Sequence, residues 1–277
     1  MTSSTAVPTM ALNNGTHIPQ LGFGVFRVDP AETQRVVSDA LAVGYRHIDT
    51  AAGYNNESGV GDALAASGIA RGELFITAKL QNSDQSNAAS AFQTSLDKLG
   101  LESVDLYLIH WPMPERDTFV QAWRALIEIA QSGRAKAIGV SNFMVPHLER
   151  IIDETGVTLA VNQVELHVDF QQAELRGFDL NHGIATEAWG PLGQGKINQS
   201  PELKAIADAH GKSVAQTILR WHIQLGTVAI PKSNNRGRMA ENFDIFDFEL
   251  TDAELVTIAA LDRGEAGRGG SHPLAVN

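Results

Sequence analysis

Residues 44–61 read GYRHIDTAAGYNNESGVG, and this stretch decides the fold. Tyr45, His47 and Asp49 alternate with Arg46 and Ile48, the period of a strand, before the small residues at 50–53 break the pattern. Tyr54 stands on the loop that follows, and Glu57 opens a helical stretch. An acid at the carboxyl end of a strand, with a phenol just beyond it, is the layout of the catalytic end of a parallel α/β barrel. A buried aspartate closing a loop under a packed tyrosine would read the same way from this stretch alone. The next two apolar runs tip the balance. Residues 74–79, LFITAK, end on Lys79, and residues 104–110, VDLYLIH, end on His110. Three successive strands ending in Asp49, Lys79 and His110 beside Tyr54 are hard to obtain from unrelated structural residues.

Outward from this block the alternation continues. Strands are predicted at 21–25, 45–49, 74–79, 104–110, 135–140, 160–165, 184–188 and 227–230. Helices are predicted at 31–43, 57–67, 88–99, 118–131, 146–154, 171–182, 202–210 and 214–224. Strands alternating with helices imply right-handed βαβ units, and eight such units close into a (β/α)8 TIM barrel. Asn13-Asn14-Gly15 between short apolar runs signals an N-terminal hairpin, expected to close the bottom of the barrel. The glycines at 22 and 24 suggest close backbone approach near a ligand. Asp29-Pro30-Ala31-Glu32 starts a helix with a cap, a proline at N1 and an acid. Extra C-terminal helices are expected from Arg236 and from the capping sequence Thr251-Asp252-Ala253-Glu254. No linker interrupts the chain, so 1–277 reads as one domain. The glycine-rich tail, 262–277, reads as mobile loop.

Composition narrows the function. With 277 residues and 43% hydrophobic content the chain can build a large core. A net charge of −11 disfavours nucleic acid and anionic membrane as partners, and means that an anionic cofactor needs a local basic pocket. The absence of cysteine removes disulfide and thiol chemistry and suits a reducing cytoplasm. The start, MTSSTAVPTMAL, lacks the basic and apolar regions of a secretory leader. No apolar run approaches the length of about 20 residues that a membrane span needs. No pair of the nine histidines has helical spacing beside carboxylates, so no metal is expected.

Three blocks in order resemble the aldo-keto reductase family: residues 44–61, residues 136–143 (KAIGVSNF), and residues 230–233 (IPKS) with Arg238, Glu241 and Asn242 following. Residues 189–195, WGPLGQG, resemble its bacterial branch that reduces 2,5-diketo-gluconate and similar small dicarbonyls. The resemblance implies carbonyl reduction with NADPH, Tyr54 as proton donor, and Asp49, Lys79 and His110 in support. It implies that Ser141, Asn142 and Gln163 hydrogen-bond the nicotinamide carboxamide and that Trp189 stacks on the ring. The turn through Gly190, Leu192 and Gln194 would approach a pyrophosphate. Lys232, Ser233 and Arg238 would take the 2′-phosphate, Asn234 would contact the cofactor beside them, and Glu241 and Asn242 would face the adenine. No Gly-x-Gly-x-x-Gly follows a strand, so a Rossmann site is not expected.

The chemistry agrees with that division of roles. A free tyrosine ionises near about 10 and is a poor acid–base catalyst at neutral pH, and a nearby ammonium would lower that value. Lys79, held by Asp49, is the expected source, and His110 would orient the carbonyl. On the substrate side Gln81 stands where relatives commonly place a Trp, and Gly53 stands beside Tyr54, so the site should be roomy and polar. Phe23, Gln81, His110, Trp111 and the tail are its expected wall, a small carbonyl compound its ligand, and a monomer its working form. Two rival readings use the same residues: a barrel lyase or isomerase forming a Schiff base on Lys79, and a non-catalytic NADPH-sensing subunit.

Overall fold

The computed structural model describes residues 7–277, and at 196–198 the backbone alone. Residues 1–6, the first half of the start read above, lie outside the described residues. Two strands, β1 (Thr9–Ala11) and β2 (His17–Pro19), pair antiparallel around the Asn13-Asn14-Gly15 turn. Asn13 donates to Leu159 O (2.8 Å) and Asn14 to Lys136 O (2.8 Å). Both acceptors lie at the entry ends of barrel strands, so the hairpin seals the bottom as the turn signal predicted.

Eight parallel strands follow: β3 (Phe23–Gly24), β4 (His47–Asp49), β5 (Phe75–Leu80), β6 (Val104–Ile109), β7 (Ala135–Ser141), β8 (Val161–Glu165), β9 (Ala185–Trp189) and β10 (Val228–Ile230). They pair in sequence order. Gly22 N to Ala229 O (2.9 Å), Ala229 N to Gln20 O (2.8 Å) and Gly24 N to Pro231 O (3.1 Å) join the two edges and close the barrel. A Cβ on Gly22 would lie 2.5 Å from His47 Nδ1. That glycine therefore serves the seam of the barrel and not a ligand, while Gly24 does line the cavity described below.

The helices form where caps and apolar stripes place them: α1 (Pro30–Val43), α2 (Glu57–Ala66), α3 (Ala88–Leu99), α4 (Phe119–Gln131), α5 (Val145–Thr155), α6 (Ala173–Asn181), α7 (Pro201–His210), α8 (Val214–Gln224), α9 (Arg236–Phe243) and α10 (Asp252–Ala259). Asp29 caps α1 through Ala31 N, and Thr251 and Glu254 form the expected capping box on α10. None of these helices is long and apolar enough to cross a membrane.

Strand alternation splits the interior in two. Outward residues such as Ile48, Ile76, Tyr107, Ile109, Ile138, Val140 and Val164 pack against the helices. Inward residues Phe75, Leu106, Leu108, Ala137, Val161, Ala185 and Val228 join Leu12 and Ile18 of the hairpin in a separate apolar plug. Each fully buried Leu or Ile there contributes roughly 1.5–3 kcal/mol. Above the plug the inward positions turn polar: His47, Asp49, Thr77, Lys79, Gln163 and Glu187 are all buried. Polar residues in that layer cost stability unless paired, which marks the carboxyl end of the barrel as the place where chemistry is built.

Candidate active site

Asp49 ends β4, and the chain leaves the barrel into a single turn, Ala52–Tyr54, that lays Tyr54 back across the strand ends. Lys79, inward on β5, is fully buried. Its Nζ donates to Asp49 Oδ1 (2.6 Å), to Thr50 O (3.1 Å) and to the Tyr54 hydroxyl (3.3 Å). Burial alone would lower the Lys79 pKa, but Asp49, then Tyr54 and Glu187, outweigh it and hold the ammonium above its ordinary value. The ring of His110 meets that of Tyr54 edge-on, with centroids 5.5 Å apart. Burial, and then Lys79, push the His110 imidazole down to about 3, so it is neutral.

Tyr54 departs from expectation. Burial raises its pKa by more than Lys79 lowers it, and the net shift is upward. The phenol is therefore held protonated, and the ammonium offsets the cost of ionising it only in part.

Asp49, Tyr54 and His110, with Lys79 buried behind them, line a cavity of about 450 Å³, within the range of small-molecule sites. Its lining brings together the predicted Asp49, Tyr54, His110, Trp111, Ser141, Asn142, Gln163, Trp189, Gly190, Leu192, Gln194 and Lys232. Four positive-φ residues, Gly190, Gly193, Gln194 and Gly195, curve the turn after β9 along one side. Asn142 is itself held in a left-handed conformation (φ 64°). Its amide donates to His110 O (3.0 Å) and Ser141 Oγ (3.0 Å) and accepts from Trp189 Nε1 (2.8 Å). Asn142 thus aims the indole and fixes the loop that carries His110. Gln163 donates from Nε2 to Asp49 Oδ2 (2.8 Å) and Glu187 Oε2 (2.8 Å). Ser233, Asn234, Arg238, Glu241 and Asn242 lie outside the cavity, on the loop after β10 and on α9, continuing outward from Lys232. Ser233 and Asn242 are buried, and Arg238 and Glu241 are exposed.

Two predicted wall residues are elsewhere. Phe23 is buried against Tyr45, with ring centroids 5.4 Å apart, and does not line the cavity. Phe26 takes that place, its ring 5.0 Å from Tyr54. Gln81 is exposed and also absent from the lining, because the chain leaves the barrel at Leu80. The short 82–87 turn acts on the cavity through Gln85, which donates to Trp111 O (2.7 Å). Arg27 reaches the mouth beside Lys232, a basic residue that sequence reading passed over because nothing nearby marks it. Glu187 was passed over too, since a lone acid in a strand resembles a solvent-facing residue.

The tail is loop, as predicted, but pinned. Gly269 N (2.7 Å) and Gly270 N (3.1 Å) donate to Glu165 Oε1, which also bonds His167 Nε2 (3.0 Å). A Cβ on Gly270 would lie 2.5 Å from Trp189 Cη2. The tail therefore backs the indole and does not line the main cavity.

The family model described as "Aldo/keto reductase family" matches residues 9–263. A protein named methylglyoxal reductase DkgA from Yersinia pestis is 49% identical over 263 residues, covering 94% of this chain and 95% of that protein. The crystal structure of an aldo/keto reductase from Brucella melitensis is 56% identical, with a TM-score of 0.89 over 92% of this chain and 100% of that one. A crystal structure of a Gox0644 mutant in complex with NADPH is 44% identical, with a TM-score of 0.94 over 98% of this chain and 99% of that one. With the family model spanning the barrel and relatives near half identity over almost the whole length, the chain belongs to the aldo/keto reductase family.

Proposed function

We propose that this protein reduces aldehydes and ketones to alcohols with NADPH, using Tyr54 as the proton donor. The observation that carries the reading is the buried Asp49–Lys79–Tyr54 chain beside a neutral His110 on the wall of one cavity. NADPH, when bound, supplies the hydride for the carbonyl carbon. Tyr54, kept protonated by burial, gives its proton to the carbonyl oxygen. Lys79 then faces the phenolate and stabilises it, while Asp49 and Thr50 O hold the ammonium in place. His110, neutral, is free to orient the carbonyl from the other side of the tyrosine ring.

The lining fits such a cofactor. Among the described residues nothing donates to Gln163 Oε1, which leaves one acceptor for a carboxamide on the cavity wall. Ser141 and Asn142 stand beside it, and Trp189 offers a ring face. Gly190, Leu192 and Gln194 border the position assigned to the pyrophosphate. Two cations, Arg27 and Lys232, share the mouth, and burial followed by Arg27 lowers the Lys232 pKa. An anion there relieves their repulsion. Ser233, Asn234 and Arg238 extend this patch toward a 2′-phosphate, with Glu241 and Asn242 assigned to the adenine.

We assign small polar dicarbonyls, including 2,5-diketo-gluconate and methylglyoxal, as substrates. Gly53 supports this, because a Cβ there would sit 3.9 Å from His110 Nδ1, so a larger residue would fill the space beside the reacting carbonyl. The name of the DkgA relative points the same way. We take 1–277 as one domain acting as a monomer. A Schiff-base lyase is disfavoured, because that chemistry needs a neutral amine and Lys79 is held charged by three acceptors.

The test is Tyr54→Phe, assayed with methylglyoxal by loss of NADPH absorbance. Reduction is expected to fall by roughly 100- to 10,000-fold with NADPH affinity nearly unchanged. Near-full turnover in the variant, with chemistry rate-limiting, would remove Tyr54 from the reaction.

A further inference from the structure

Inside the barrel, one residue outside the four reacting groups touches both halves of the site. Glu187, on β9, is fully buried. Its Oε2 accepts from Gln163 Nε2 at 2.8 Å, and the other N–H of the same amide goes to Asp49 Oδ2 at 2.8 Å. Gln163 thus spends both of its donors on carboxyl oxygens. Turning the amide over would set its carbonyl oxygen against the donor-free Asp49 carboxylate and would force the Glu187 proton round to that side to meet it. We propose that Glu187 is a positioning residue: with Asp49 it locks the Gln163 amide, so that Oε1 is presented to the nicotinamide carboxamide and one rigid string of hydrogen bonds runs from that contact to Asp49, Lys79 and Tyr54. The inference rests on the nicotinamide site proposed above.

The groups that face Glu187 fix its charge. From β4 come Asp49 and His47, from β5 Lys79, from the turn after β4 Tyr54, and from β8 Gln163. Lys79 is committed to Asp49 at 2.6 Å, and Glu187 Oε1, which has no hydrogen-bond partner among the described residues, lies 3.5 Å from His47 Nε2, itself 3.1 Å from Thr77 Oγ1. Burial pushes the His47 imidazole down to about 4, so it brings no charge. One cation and two adjacent buried carboxyls leave room for one anion. Asp49, on the ammonium, is that anion. Glu187 stays the neutral acid, able to accept from Gln163 with one oxygen and to offer its proton toward His47 with the other. Burial and then Asp49 hold its pKa up, to about 8.

The neutral state makes Gln a close mimic of this acid. A glutamine at 187 can turn its oxygen to Gln163 Nε2 and its amino group to His47 Nε2. A leucine can do neither. With leucine, Gln163 keeps one bond, to Asp49, and the penalty for turning over is roughly halved.

The experiment compares binding of NADPH with binding of reduced 3-acetylpyridine adenine dinucleotide phosphate, which lacks the amino group that Oε1 would accept from. Both are titrated by tryptophan fluorescence, with no substrate present. The native protein is expected to favour NADPH by roughly tenfold, the weight of one hydrogen bond. Glu187→Leu should reduce that preference to near unity, and Glu187→Gln should keep most of it. Gln163→Leu should abolish it, and Glu187→Leu should then add nothing. An unchanged preference in Glu187→Leu overturns the proposal. So does loss of preference in Glu187→Gln, which remains readable if the leucine variant does not fold. If the native protein binds neither dinucleotide, the nicotinamide reading itself fails, a result distinct from the other two.

Discussion

Lys79 carries a full charge with none of its surface exposed, and its environment compensates that charge almost entirely through Asp49. Breaking one side of a buried pair leaves an unpaired ion, which typically costs about 3–5 kcal/mol. Lys79→Met is therefore expected to lower Tm sharply, and Asp49→Asn added to it should restore much of the loss. If the double variant is less stable than the single one, measured by thermal melts, Asp49 is not the ion left stranded. At the outer end of the site Arg238 is exposed, and no ion pair holds its guanidinium among the described residues. Arg238→Ala should weaken NADPH by about ten- to a hundredfold and NADH far less. Equal losses in fluorescence titration would place the 2′-phosphate elsewhere. Gln81 lies outside the cavity lining, and its replacement should not shift substrate preference.

Helix α6 shows how an element can carry a cost that the sequence hides. Asp179 is buried between α6 and the sheet, where Thr186 Oγ1 donates to its Oδ2 (2.8 Å). Burial raises its pKa to about 7, although Thr186 and Asn162 pull the other way. An unfolded aspartate titrates near about 3.9, so the folded state binds the proton more tightly. The stability linked to that proton is fully present below the unfolded value and is lost as pH rises through about 7. Asp179→Asn keeps an acceptor for Thr186 and cannot ionise. It should raise Tm at pH 8 by roughly 2–4 °C, the equivalent of about 1–2 kcal/mol, and leave Tm at pH 4 nearly unchanged. A melt series showing the same gain at both pH values would locate the effect in packing instead.

Across the whole molecule, the two ends of the chain act on opposite mouths of the barrel. The hairpin plugs the bottom, and the tail crosses the top to back Trp189. The tail rests on close approach at Gly267, where an added Cβ would lie 1.8 Å from Asp169 O. Arg263 N also donates to Asp169 O (3.0 Å), and the Arg268 guanidinium lies 4.5 Å over the Phe170 ring. Gly267→Ala must lift this segment. Faster tryptic cleavage after Arg268, a Tm lower by a few degrees and weaker NADPH binding through a loosened Trp189 are the expected results. A variant with native cleavage rates and native affinity would show that the tail does not support the indole.

What the sequence determined by itself was the part that depends on local physics. Asp29 and Thr251 start their helices because a side chain capping its own first turn needs no distant partner. The strand–helix alternation and the strand-end positions of Asp49, Lys79 and His110 follow from periodicity. Three outcomes were decided only by tertiary structure. Phe26 lines the cavity with Gly24, two residues before it, while Phe23 faces outward onto Tyr45, and which face of the two-residue β3 turns inward is settled only by how the barrel closes. The pinned tail depends on Glu165, more than a hundred positions away, which no local pattern links to Gly269. The raised pKa of Tyr54 and the meeting of Glu187 with Asp49 depend on how far barrel closure excludes water and which strands it sets side by side. Desolvation and charge pairing act through space, and only the closed barrel fixes those distances.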